Sequence, residues 1–247
     1  MAGPASERTS YWSSGTFFAS LGDKPRKDLL ELVPPVRYPA GTTLVRQGEP
    51  GMQAFLLRST GPASSACVKV IATLENGSES MLGIRVGGDV IGEVAAIRAT
   101  PRNATVVTCT PILAHPLPRE MFLAFLNRHP EAWQAIAAMM ADRLDWANRR
   151  RLEFVGYDVP IRLARIIVEL ADRHGRDVAE GRELGVRLSQ PELGKLIGAG
   201  EDAVGQAMRR FRDEGYVLSK YRAVTILTPD RLRAFAELPP RHPSADS

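Results

Sequence analysis

Hydrophobic positions change their spacing several times along the chain. Between Pro34 and His115 they fall in short runs, TTLV, AFLL, ACVKVIATL, SMLGIRV, ATVVTC and PILAH. Pro39-Ala40-Gly41, Gly48-Glu49-Pro50-Gly51, Asn76-Gly77 and Gly87-Gly88-Asp89 separate them. Short apolar runs bounded by glycine, proline and asparagine predict strands, about eight of them. Asn76-Gly77 predicts a hairpin closed by a type I′ turn, in which both central residues need positive φ. Leu21, Leu29, Leu30 and Leu32 predict a short helix across 17–33, and Pro118 to Arg128 predicts another. From Glu131 to about Gly156, Ile136, Met140, Leu144 and Ala147 step by three or four, the signature of a long helix with one apolar stripe. That stripe can bury against the β unit or against its own copy in a dimer, and the dimer is the preferred reading. Asp158-Val159-Pro160 restarts the chain as a helix over Ile161 to His174, followed by a polar connection from Gly175 to Gly185.

The next segment reads as two short helices about a glycine turn. Ser189-Gln190-Pro191-Glu192 matches a capping box, in which serine and glutamate satisfy each other's backbone N–H groups, with proline in the first turn where its missing donor costs little. Leu193, Leu196 and Ile197 form one inner face, Gly198 to Gly200 the turn, and Val204, Met208 and Phe211 the second inner face. Outward remain Glu201, Asp202, Gln206, Arg209, Arg210 and Arg212. After Gly215, Tyr216 to Leu218, Ser219-Lys220-Tyr221-Arg222 and Val224 to Leu227 predict a β-hairpin with a basic tip. Capping box, glycine turn, arginines and basic wing in succession predict a DNA-binding winged helix. The expected contacts are Ser189, Gln190, Glu201, Asp202, Gln206, Arg209, Arg210, Lys220 and Arg222.

The chain therefore divides into an α+β arrangement of a flexible tail at 1–16, a β unit at 17–130, a long helix at 131–157, a winged helix at 158–236 and a second tail at 237–247. Tyr11 and Trp12 are expected to tuck against the body. With 247 residues the chain is long enough for two modest cores, and a net charge of +4 permits an anionic partner without requiring one. No stretch approaches the roughly 18 apolar residues of a membrane span, and Met1 to Ser20 lacks the order of a secretion signal, which predicts a cytoplasmic protein without a membrane partner. Cys67 and Cys109 read as core residues of a reduced compartment, too few for a disulfide framework or metal cluster. The chain has no nucleophile elbow, zinc-ligand pair or P-loop, so an enzyme is not expected.

A second constellation lies in the β unit, Gly88-Asp89-Val90-Ile91-Gly92-Glu93-Val94 followed by Pro101-Arg102-Asn103-Ala104-Thr105. Glycine lets backbone N–H groups approach an anion, arginine forks onto phosphate, and glutamate accepts from a ribose hydroxyl.

With GDVIGEVAAI and PRNAT in the β unit and LSQPELGKLIG and VGQAMRRF in the helical pair, the chain resembles the cyclic-AMP receptor protein and fumarate-nitrate regulator (Crp/Fnr) family over Phe17 to Pro229. The resemblance implies a homodimeric transcription regulator with a jelly-roll-like β-roll for a cyclic nucleotide, a dimerising helix and a winged helix for a palindromic operator. Double-stranded DNA and RNA polymerase are the implied partners, and cyclic AMP or a related nucleotide is an allosteric ligand rather than a cofactor. It places Gly92, Glu93, Val94, Arg102 and Asn103 on the phosphate-binding cassette, with Glu93 on the ribose 2′-hydroxyl and Arg102 on the cyclic phosphate. Asn103 stands where a serine or threonine is usual. Ala147 and Asn148 fall where the base is met, and only Asn148 can hydrogen-bond it. Glu201, Asp202 and Gln206 replace the base-reading Arg, Glu and Arg of the type member. The N-terminal cysteine cluster of the fumarate-nitrate branch is missing, and His115, His129, His174 and His242 stand at no position suggesting a haem ligand. These replacements also motivate an alternative, a nucleotide-binding interaction protein with altered or lost operator recognition.

Overall fold

The computed structural model describes residues 15–61 and 64–240, so Tyr11, Trp12 and His242 lie outside the described residues. Two compact units divide the chain, 1–147 and 148–247.

In the first unit a turn carrying buried Phe17 and Phe18 leads to α1 (Asp23–Leu32), later than the helix predicted from residue 17. Eight strands follow: β1 (Val36–Tyr38), β2 (Thr43–Val45), β3 (Gln53–Arg58), β4 (Cys67–Thr73), β5 (Glu79–Val86), β6 (Val90–Ile91), β7 (Thr105–Thr108) and β8 (Ile112–Pro118). They form two four-stranded sheets, β1-β8-β3-β6 and β2-β7-β4-β5. The AFLL run of β3 is buried on both faces because side chains alternate across a strand. Phe55 and Leu57 join Val45, Val68, Val106 and Ile112 in one cluster. Ala54 and Leu56 pack instead with Phe17, Leu29, Phe122, Leu126 and Ile136. That second cluster holds α1, α3 (Arg119–Arg128) and the first turns of α4 (Pro130–Gly156) on the sheet.

The β4–β5 hairpin forms where Asn-Gly predicts it, but its turn is not type I′. Gly77 has φ 82°, whereas Asn76 is absent from the residues with positive φ. The Gly77 amide donates to the Leu74 carbonyl at 2.9 Å, and the Leu74 amide to the Ser78 carbonyl at 2.8 Å. This is the three-residue alternative, an ordinary turn followed by a left-handed glycine.

The apolar stripe of α4 is not one surface. Ile136 is buried and Met140 packs against the same cluster, while Leu144 is 61% exposed; farther on Leu152 is 72% and Val155 90% exposed.

In the second unit, Asp158 caps α5 (Val159–His174) by accepting from the Ile161 amide at 3.1 Å. The segment 175–185, read as a polar connection, is in fact a hairpin of β9 (Arg176–Val178) and β10 (Gly181–Glu183). It carries no apolar run because its pairs are charged. Arg176 donates to Glu183 at 2.6 Å and Arg182 to Asp177 at 2.8 Å, each directly across the ladder. Helices α6 (Gln190–Ile197) and α7 (Glu201–Asp213) follow, then β11 (Val217–Lys220), β12 (Ala223–Ile226) and α8 (Pro229–Phe235). The wing joins the charged hairpin in a sheet of order β11-β12-β10-β9. Among the described residues no helix is long and apolar enough to cross a membrane, and no cluster of His, Cys, Asp and Glu fits a metal ion.

Candidate functional site

A cavity of about 310 Å³ opens in the first unit, near the lower end of the size range of small-molecule sites. Strand β6 delivers the chain to Gly92, whose φ of 72° allows the immediate turn into α2 (Glu93–Arg98). A Cβ at this position would lie 2.5 Å from Nη1 of Arg102, so the guanidinium occupies the space that only glycine leaves. Arg102 is 7% exposed. Its Nη1 donates to the Gly92 carbonyl at 2.8 Å and its Nη2 to the Gln53 carbonyl at 2.6 Å. Two of its five N–H groups thus fix its orientation, and others remain for an acceptor in the cavity it lines. Burial depresses its pKa below the ordinary arginine value, while the carboxylates of Glu93 and Glu49 pull the other way. A bound phosphate would relieve that desolvation.

Gly92, Glu93, Val94, Arg102 and Asn103, predicted from separate segments, all line this cavity. Sequence reasoning missed Arg143 of α4, which also lines it. Arg143 pairs through Nη1 with the buried Glu93 carboxylate and donates through Nη2 to the Val90 carbonyl at 2.8 Å. The two partners stand fifty residues apart, so no local signal links them. Arg85 of β5 is a third lining arginine that the sequence did not single out, and Val45, Val70, Leu82, Val106 and Met140 supply apolar walls. Ala147 and Asn148 are exposed on α4 and are not among the lining residues.

In the second unit the capping box forms as predicted. The Ser189 amide donates to Glu192 Oε2 at 2.7 Å, and the Glu192 amide to the Ser189 hydroxyl oxygen at 3.3 Å. Leu193, Leu196 and Ile197 of α6 and Val204, Met208 and Phe211 of α7 are buried, leaving Glu201, Asp202, Gln206, Arg209 and Arg210 exposed on one helix. Glu201 and Asp202 occupy its first turn, where acids complement the helix dipole.

Two of the arginines expected to contact DNA are engaged within the protein. Arg210 donates to Glu214 at 2.6 Å and holds that carboxyl below its usual range, with help from Tyr216. Arg222, at the tip between β11 and β12, has φ 56° and reaches back to α6. Its Nη2 lies 3.0 and 2.9 Å from the two carboxylate oxygens of Glu192. Burial alone would lower the Arg222 pKa, but Glu192 raises it overall. Lys220 stays exposed beside Tyr221, which is 86% exposed.

Residues 35–129 match the model of the cyclic nucleotide-binding domain, and residues 161–235 match the Crp-like helix-turn-helix domain. The chain belongs to the Crp/Fnr family of transcription regulators. Among curated relatives it is similar to the CRP-like cAMP-activated global transcriptional regulator of Mycobacterium tuberculosis, with 27% identity over 83% of this chain and 88% of the relative. It is also similar to the electron transport regulator A of Shewanella oneidensis, 22% identical over 85% of this chain and 80% of that one. The fold matches the c-di-GMP-responsive global regulator CLP of Xanthomonas campestris with a TM-score of 0.70 and 21% identity, covering 84% of this chain and 100% of that structure. FixK2 of Bradyrhizobium japonicum also gives 0.70, at 16% identity over 82% and 96%. The Crp/Fnr chain is thus a cyclic-nucleotide-binding transcription regulator with a DNA-binding helix-turn-helix, and its relatives are regulators rather than enzymes.

Proposed function

We propose that this Crp/Fnr regulator is a cytoplasmic homodimer whose cavity takes a purine 3′,5′-cyclic nucleotide and whose second unit binds a two-fold symmetric operator. The observation that carries the reading is Arg102, buried, held by two backbone carbonyls and turned to the cavity beside Glu93. Its guanidinium takes the cyclic phosphate, the small Gly92 lets the chain approach, and Asn103 adds an amide donor. Glu93 accepts from the ribose 2′-hydroxyl, and Arg143 orients that carboxylate. Val94 closes the wall.

The exposed face of α4 with Leu144, Leu152 and Val155 is assigned to a second copy of the chain, and Ala147 and Asn148 belong to that helix. A ligand changes the regulator only by binding two arrangements of it with different affinity. In a two-fold dimer the two α7 helices must enter the major groove one helical turn apart, about 34–36 Å. Glu201, Asp202 and Gln206 face the bases, where a carboxylate accepts from the cytosine N4 amine. Ser189, Gln190, Arg209 and Lys220 serve the phosphates, with Arg210 and Arg222 available once released from their carboxylates, and RNA polymerase is the partner downstream.

Titration calorimetry of the full chain with cyclic AMP and cyclic GMP tests the first half: wild type gives heat with at least one, and Arg102→Ala loses it. No heat with either ligand removes the nucleotide assignment. A second reading, a ligand-controlled interaction protein that does not recognise an operator, draws on the acids leading α7 and on the engagement of Arg210 and Arg222. A selection from random double-stranded DNA at low salt, where phosphate contacts are strongest, separates the two, because only the regulator enriches a symmetric motif.

A further inference from the structure

The cavity holds more positive charge than a single cyclic phosphate requires. Arg102 is placed for the phosphate and Arg143 is committed to Glu93, which leaves Arg85 without a role in that scheme. Arg85 sits on β5 opposite Val68, on the strand that also supplies the apolar wall residue Leu82. Leu82 and Arg85 are three positions apart, and in a regular strand they would point to opposite faces. Both line the cavity because the register slips between them: Val70 pairs with Gly83 and Ile71 with Met81, so Leu82 is the extra residue of a bulge. The arginine side chain folds over Gly83. A Cβ there would lie 2.7 Å from Nη1, and that nitrogen donates to the Ile84 carbonyl at 2.7 Å. The bulge and the missing side chain thus bring a guanidinium into the cavity lining, from the same strand pair that supplies the apolar residues Val70 and Leu82.

We propose that Arg85 reads the purine base and makes guanine the preferred base of the ligand, an inference that rests on the cyclic-nucleotide reading above. Guanine presents two adjacent acceptors, O6 and N7, which the arginine fork matches in a bidentate pair. Adenine presents N7 beside the N6 amine, a donor, and arginine carries no acceptor to meet it. The walls of Val70, Leu82 and Met140 suit either purine ring, so discrimination falls on the arginine.

The test is calorimetric titration of the full-length protein with cyclic GMP and cyclic AMP, for wild type, Arg85→Ala, Arg85→Lys and Arg102→Ala. A bidentate base contact predicts that wild type binds cyclic GMP roughly 5- to 150-fold more tightly than cyclic AMP. Arg85→Ala brings the ratio to near unity while leaving cyclic AMP affinity within about threefold. Arg85→Lys keeps the charge without the fork and fails to restore the ratio. Wild type binding both nucleotides equally, or cyclic AMP more tightly, overturns the base assignment while the nucleotide site stands. A parallel loss of affinity for both in Arg85→Ala also overturns it, because Arg85 then serves the phosphate. Absence of binding by wild type removes both readings at once.

Discussion

Glu192 performs two tasks at the mouth of the helix-turn-helix, and they can be separated. Its carboxylate accepts from the Ser189 amide at 2.7 Å to close the capping box, and the same two oxygens hold Arg222 of the wing at 2.9 and 3.0 Å. Glu192→Ala removes both. The cap contributes about 1 kcal/mol. The ion pair lies between the exposed and buried cases, since the glutamate side chain is 10% and the arginine 32% exposed, so its loss costs roughly 1–2 kcal/mol. Together these lower the stability of the second unit by about 2–3 kcal/mol, which for a unit of this size moves its melting transition by roughly 10–20 °C. Glu192→Gln keeps a carbonyl oxygen for the Ser189 amide and loses only the charge, so it should cost about half as much. Arg222→Ala, which leaves the cap intact, should resemble the glutamine variant. Differential scanning calorimetry of the three variants and the Glu192→Ala/Arg222→Ala double variant reads these values directly. Equal small shifts of about 2 °C or less for all of them, or full additivity of the two alanines, would refute the view that one carboxylate joins cap and wing.

Three further outcomes follow from other parts of the molecule. Gly92→Ala forces a side chain into a backbone of φ 72° and to within 2.5 Å of Arg102 Nη1, and should weaken cyclic nucleotide binding about tenfold or more; calorimetric affinity equal to wild type contradicts this. Glu153, 7% exposed, pairs with Arg150 at 2.7 Å and with Arg165 at 2.8 Å, so Glu153→Ala should destabilise the second unit by about 3 kcal/mol in urea unfolding, the low end of the buried range because Glu169 and the Ala236 carbonyl still serve those arginines. His115 is 1% exposed, and burial holds its pKa below the ordinary 6.5 despite the Val33 carbonyl at 2.8 Å. The unfolded chain therefore takes up a proton as pH falls through about 6.5 while the folded chain does not, so this stability is full above that pH and declines below it until the lower folded pKa is reached. His115→Gln should flatten the stability profile between pH 7 and 5, and an unchanged slope would assign it to other groups.

Much of this architecture is legible in sequence because its signals are local. The capping box at Ser189–Glu192 and the runs of β3, β4 and β7 each report on neighbours a few positions away. What the sequence hides are the pairings made across the fold. Glu93 meets Arg143 and Glu192 meets Arg222 over separations of fifty and thirty residues, and a pattern search sees only isolated charges. The β9–β10 hairpin escaped because its ladder is held by Arg–acid pairs rather than an apolar alternation. The α4 stripe shows one helical period, but a period does not say what covers it: Ile136 packs in the core of the first unit while Leu144 is exposed. Gly83 and Arg85 were unremarkable as letters, and only the bulge that follows from the β4–β5 register brings the arginine to the cavity.

In the proposed regulator a nucleotide held by Arg102 governs recognition of DNA by α7. The direct measurement takes the full-length protein and the symmetric sequence it selects, and compares DNA affinity with and without saturating cyclic nucleotide, for wild type and Arg102→Ala. The ligand is expected to change wild-type affinity severalfold or more and to leave the variant unmoved. Affinity independent of ligand in wild type, or an equal response in Arg102→Ala, would contradict it.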